Sequence, residues 1–154
     1  MWDEPIDVNE LRGTITDKTV EFAERFGKYL AKKEDDTVDP LTTSQLRKFF
    51  GEVKRQQLKD YSETSFVMLK PKLAYAVGRA KQKAKKEIKI VKIDDFYKVI
   101  SHAIDDVIQT PSADRDKAFK NFIAAFEAIV AYHKVAEENK NSEENKKKSS
   151  FNNQ

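Results

Sequence analysis

The chain has 154 residues, 36% charged and 10% aromatic, which is enough for one domain with a single core and short of two. It contains no cysteine, excluding disulfides, thiolate zinc sites and thiol catalysis, and its four Gly and four Pro are too few for an all-β sandwich. The net charge of +3 hides a polarised distribution: residues 41–93 hold 14 Lys and Arg against four acids (Glu52, Asp60, Glu63 and Glu87), while both flanks are net acidic. That imbalance suggests a surface suited to an anionic polymer. No apolar run approaches the roughly 20 residues that cross a bilayer, and the acidic start "MWDEPIDVNE" lacks the regions of a signal peptide. A soluble cytoplasmic protein with no membrane partner is expected.

In chain order, residues 1–15 read as a polar extension. Thr16 or Asp17 can cap a first helix, on which Val20, Ala23, Phe26 and Leu30 recur at helical spacing, widened by Phe22 and Tyr29. "KKEDDTVDP" ends it. A second helix opens at "LTTSQL", where Thr42 and Gln45 match a capping box and Leu41 and Leu46 a hydrophobic staple. Leu46, Phe49, Phe50 and Val53 form its inner face. The third helix is predicted from about 64 to 86, with Phe66, Leu69, Leu73, Ala76, Val77, Ala80 and Ala84 on one side. Pro71 inside it predicts a kink or a break. The alternating "EIKIVKI" reads as an extended connector, since no partner strand is evident.

The fourth helix has the clearest period: Phe96, Val99, Ile100, Ala103, Ile104, Val107 and Ile108. "QTPSAD" breaks it, and the fifth carries Phe119, Phe122, Ile123, Phe126, Ile129 and Val130. Everything after residue 136 is polar and predicts disorder. The fold class is therefore all-α: a compact bundle of five helices over residues 16–136, with a disordered polar C-terminal tail, 137–154.

Two helices carry basic faces. With Leu46 as zero, Arg47 and Lys54 project at about 80–100° and Lys48 and Arg55 at about 180–200°, opposite the core, while the acid Glu52 points elsewhere. On the third helix Lys72, Arg79, Lys83 and Lys86 share a strip about 21 Å long, with Tyr75 beside it and Lys70, Lys81 and Lys85 on the other flank. Such a strip can follow several phosphates of one strand, with steep salt dependence and little sequence preference. Tyr75 can stack a base, although packing at the edge of the core is the commoner role for a tyrosine so placed. Thr43 and Ser44 sit at the positive end of a helix dipole, where phosphates bind or hydroxyls merely cap.

Enzyme readings are weak. Asp94 with Asp95, Asp105 with Asp106, and Asp114 with Asp116 sit at helix ends, where N-capping explains them better than a metal-dependent nuclease. His102 near Asp105 and Asp106 lacks a second contributing element. His133 reads as a partly buried residue on the last helix. The chain has neither a Walker lysine motif nor a nucleophile elbow. The expectation is a non-catalytic binding protein without metal or cofactor.

"LTTSQLRKFF" (41–50), "LKPKLAYAVGR" (69–79) and "NFIAAFEAIVAYHK" (121–134) occur in the order and helical context of one family. Over about residues 16–135 the chain resembles the small helical subunit of type III-A CRISPR effector complexes, the Csm complex. The resemblance implies an RNA-binding structural subunit of an antiviral complex, repeated along the filament that holds the guide RNA and supporting the target RNA. Its implied partners are target RNA, the guide RNA–target duplex and other subunits, including copies of itself; cleavage belongs elsewhere. Arg47 and Arg79 lie inside the matching motifs and are the implied RNA-facing positions. Lys48, Lys54, Arg55, Lys72, Lys83 and Lys86 follow from the helical projection, and Thr43, Ser44 and Tyr75 are further candidate contacts. Pro71, the lysine-dense stretch 81–92 and the tail depart from the family pattern. The competing reading is a protein-only scaffold whose basic face docks an acidic partner subunit.

Overall fold

In the computed structural model, which describes residues 1–58, 62–84 and 90–152, helices dominate the chain. In order they are α1 (Val8–Arg12), α2 (Asp17–Ala31), α3 (Thr43–Gln57), α4 (Glu63–Val67), α5 (Leu69–Ala84), α6 (Lys92–Gln109) and α7 (Arg115–Asn152), with two-residue strands β1 (Val38–Asp39) and β2 (Ile90–Val91). The five sequence-read helices correspond to α2, α3, α4 with α5, α6 and α7. No helix among the described residues is long and apolar enough to cross a membrane.

Local signals act where the sequence places them. Thr42 accepts from the Gln45 amide at 3.1 Å while the Gln45 side chain accepts from the Thr42 amide at 3.0 Å, completing the capping box. Leu41 and Leu46, the staple, are both buried. Thr16 caps α2, its hydroxyl accepting from the Lys18 amide. The apolar stripes then close one core: Phe49, Phe96 and Phe126 from three helices meet at 5.5–5.8 Å between ring centroids. A second aromatic group sets Phe66 edge-on to Phe119 and Phe122 at 5.2 Å. Val20 departs from its stripe and is exposed; Thr19 is buried in that sector instead.

Helices α2 and α7 come into close contact at Gly27. A Cβ there would lie 2.8 Å from the His133 amide nitrogen and 3.0 Å from the Ile129 carbonyl oxygen, both backbone atoms that cannot swing aside. Gly27→Ala is therefore expected to lower stability by about 1–3 kcal/mol through overpacking, against a helix-propensity gain of about 1 kcal/mol at most. The urea midpoint checks this.

The third helix does break, and Pro71 is only part of the reason. Met68 closes α4, with its amide bonded to the Thr64 carbonyl, and α5 begins at Leu69. Pro71 thus sits in the first turn of α5, where its missing N–H breaks no interior bond, and the cost expected for a mid-helix proline does not arise. The "EIKIVKI" connector also finds a partner: Val38 pairs with Ile90 and Asp39 with Val91 in a short parallel ladder. A two-residue strand inside a charged, proline-ended segment leaves no period to read.

Residues 1–13 fold onto the bundle. Ile6 and Leu11 are buried, and Trp2 packs on Phe22, Phe26 and Tyr29 at 4.9–5.8 Å. Glu10 is buried beneath the start of α2. It accepts from the amides and hydroxyls of Thr16 and Thr19 at 2.6–3.2 Å, and the Asn121 amide from α7 donates to the carbonyls of Glu10, Leu11 and Gly13. Burial pushes the Glu10 carboxyl up, but those four donors outweigh it and hold it below the ordinary value of 4.5. A carboxyl depressed in the folded state adds stability that is complete above about pH 4.5 and is lost as pH falls through the folded value. Glu10→Gln should cost about 1–3 kcal/mol at neutral pH and flatten the acid limb of a urea-midpoint profile taken from pH 7 to 3.

Lys92, at the first position of α6, is also buried. Its ammonium donates to the carbonyls of Tyr29 at 2.5 Å and Lys32 at 2.7 Å and sits 4.1 Å from the Tyr29 ring centroid, with Glu34 at 3.4 Å. It thereby caps the C-terminal end of α2 from a neighbouring helix. Burial lowers its pKa.

Where the sequence predicts a disordered tail from 137, the helical backbone of α7 runs on to Asn152. Residues 137–152 include four Glu and four Lys, good helix formers that favour the continuation locally without any core, against four Asn and three Ser that do not. Among the described side chains of α7, none past His133 is buried.

Candidate nucleic-acid interface

The basic residues fall into two groups once their partners are known. On α5, Lys70 binds Asp105 at 2.8 Å and Lys81 binds Asp94 at 3.4 Å, so this flank ties α5 to α6. On α3, Lys54 lies 3.7 Å from Glu127 of α7 and 5.5 Å from the Phe50 ring centroid, half-buried between them. Those cations are occupied in holding the bundle.

Arg47, Lys48, Arg79 and Lys83 are exposed, and among the described residues none forms an ion pair. Arg47 and Lys48 start the outer face of α3, and Arg79 and Lys83 lie one turn apart on α5. Tyr75 does not pack at the edge of the core: it is 69% exposed, with the Arg79 guanidinium 6.0 Å from its ring centroid. Arginine beside an exposed aromatic is a surface on which a base can stack. Gly78, just before Arg79, has open space around it, with no described atom within 4 Å of where a Cβ would stand. It serves no packing contact among the described residues. Lys86 lies outside the described residues.

Arg55 and Lys72 meet across the two helices. Glu52 takes Arg55 on one carboxylate oxygen at 3.3 Å and Lys72 on the other at 3.2 Å. The helical projection sends Glu52 away from the basic face, but α5 packs beside α3 and brings Lys72 to it. A single-helix projection contains no such neighbour. Thr42 is engaged in the capping box, Thr43 is half-buried and Ser44 exposed in the first turn of α3.

Asp114 stands just before α7, its carbonyl accepting from the Ala118 amide at 3.0 Å, whereas Asp94, Asp95, Asp105, Asp106 and Asp116 have side-chain partners and do not act as N-caps. Asp94 pairs with Lys81 and Lys98, Asp95 accepts from the Tyr29 hydroxyl at 2.5 Å, and the α6 cap itself, Val91, has no side-chain bond. The Tyr29 hydroxyl is pushed up by burial and by that carboxylate. Asp105 holds Lys70, and Asp106 lies 3.1 Å from His102 Nδ1, its carboxyl raised by burial. Asp116 pairs with Lys120. Among the described residues no group of three His, Cys, Asp or Glu is placed to hold a metal. His133 is fully buried, its Nε2 donating to the Leu41 carbonyl at 2.6 Å.

A protein-family model, Csm2 Type III-A, matches residues 14–139, which include α2 to α6 and most of α7. No curated protein and no solved structure matches the chain.

Proposed function

Because the chain belongs to the Csm2 Type III-A family, small structural subunits of the type III-A CRISPR complex, we propose that it supports RNA in that complex through the outer faces of α3 and α5. The observation that carries this reading is the division of the cations. Lys54, Lys70 and Lys81 are tied to acids on other helices, whereas Arg47, Lys48, Arg79 and Lys83 stand exposed without an ion pair among the described residues. Four exposed like charges with no ion pair among the described residues repel one another across neighbouring helices, and an RNA backbone relieves that by counterion release. Tyr75 beside Arg79 adds a stacking surface, and Thr43 and Ser44 at the α3 start are further candidate phosphate contacts. The bound strand is the target RNA, alone or paired with the guide, and packing along the filament brings the subunit against other subunits and further copies of itself.

The subunit contributes no chemistry of its own in this reading, consistent with carboxylates engaged in ties between and along helices. Purified protein is expected to leave RNA intact with added magnesium or manganese. The test of the interface is crosslinking within the assembled complex, together with a salt series on the isolated chain. Crosslinks from Arg47, Tyr75, Arg79 or Lys83 to RNA and a steep fall of affinity with salt are expected. Crosslinks from this face to an acidic protein subunit alone would replace the RNA reading with the protein-only scaffold.

A further inference from the structure

A cleft of about 220 Å³ lies between α3, α4 and α5, with Phe119 of α7 in its lining. The Gln56 side chain donates to the Ser65 carbonyl at 2.8 Å and fixes α4 against α3, and Ser62 caps α4 at the rim. Inside this frame Arg55 and Lys72, from different helices, converge on the two oxygens of Glu52. One anion with two oxygens bridging a guanidinium and an ammonium is the arrangement that the non-bridging oxygens of a phosphodiester would make. The acid is also the inner member: the Glu52 side chain is 31% exposed, against 72% for Arg55 and 52% for Lys72. A strand arriving from solvent meets the cations first.

Resting on the RNA reading above, we propose that Glu52 is an internal counterion standing in for phosphate. It holds Arg55 and Lys72 together in the free chain, and a phosphodiester of the bound RNA takes its place in the cleft. Both cations are thereby kept at phosphate spacing, while the free protein is held to weak RNA binding. Arg47, Lys48, Arg79 and Lys83 need no such exchange. Exposed ion pairs are weak and salt-screened, so phosphate in a strand already anchored by neighbouring cations can displace the carboxylate.

The full-length chain is titrated with labelled oligouridylate across a salt series, as wild type and as Glu52→Gln, which keeps the shape and removes the charge. Glu52→Gln should bind about three- to tenfold more tightly at low salt, from two weak exposed pairs released. The slope of log K against log salt should stay the same, because the same phosphate is contacted in both proteins; a slope steeper by about 0.7 in the variant would mean that phosphate does not displace Glu52 in wild type and would overturn the exchange. The gain should vanish when Arg55 and Lys72 are both changed to Gln. Equal or weaker binding by a helical Glu52→Gln protein overturns the exchange while leaving the RNA reading intact. If wild type and variant both fail to bind at low salt, the RNA reading falls and the exchange with it. Should Glu52→Gln not fold, Glu52→Asp, one methylene too short to bridge both cations, should show a smaller gain, and no gain overturns the proposal. Inorganic phosphate at matched ionic strength should leave wild-type binding unchanged; competition by it would assign the cleft to a free anion instead.

Discussion

Changing Arg47, Arg79 and Lys83 together to Glu is expected to weaken binding of single-stranded RNA about 100-fold or more at 0.1 M salt. Each phosphate contact is worth about 0.7 decade there, so three lost contacts give about two decades, and the reversed charges add repulsion. The slope against log salt should become shallower by about 2. These three side chains are chosen because they are exposed and form no ion pair among the described residues, so their reversal should leave the thermal midpoint and helical content close to wild type. Reversing Lys70 and Lys81 gives the opposite pattern. Their ties to Asp105 and Asp94 would become repulsions, lowering stability while leaving RNA binding largely in place. Unchanged affinity in the first variant would remove those residues from the interface.

Lys92→Met should lower stability by about 2–4 kcal/mol. Methionine fills much of the buried volume, but the Lys32 carbonyl loses the donor that Lys92 supplies, at about 1–3 kcal/mol, and the Tyr29 carbonyl keeps only its 3.3 Å bond from the Lys32 amide. The attraction between the ammonium and the Tyr29 ring is lost as well. Part of the loss is offset, because the buried charge no longer has to be kept from water, which is the cause of its lowered pKa. Denaturant unfolding gives the magnitude. Amide exchange should place the first loosening at residues 28–32, the end of α2.

The apolar periods of the main helices were legible because each stripe needs only its own helix to be recognised. Phe96 through Val107 and Phe119 through Ile129 are buried as the period requires. What could not be read were contacts whose reason lies on another element. Lys92 sits in a lysine-rich stretch and looks like surface charge; only the carbonyls at the end of α2 explain its burial. Glu10 stands in an acidic leader and gives no sign that two threonines will satisfy it. The candidate face was half legible. The motifs and the helical projection singled out Arg47, Arg79 and Lys83 and set Lys70 and Lys81 on the other flank, but could not separate the cations left unpaired among the described residues from Lys54, Arg55 and Lys72, which the fold ties to Glu127 and Glu52. Helical spacing alone does not distinguish the exposed Tyr75 from a tyrosine packed at the edge of the core.

The Asn121 bonds to the carbonyls of residues 10, 11 and 13 also bear on the order in which the chain becomes native during synthesis. They join residues 108 to 111 positions apart, and the α2–α7 seam at Gly27 is about as long-range. At about 5–20 residues per second, a ribosome makes Asn121 roughly 5–22 s after Gly13. Throughout that interval Trp2, Ile6, Leu11 and Phe26 exist without the helix that completes their cover. The nascent chain is therefore a natural client for holding factors until α7 emerges, and a ribosome stalled before Asn121 should display a protease-sensitive, aggregation-prone N-terminal half.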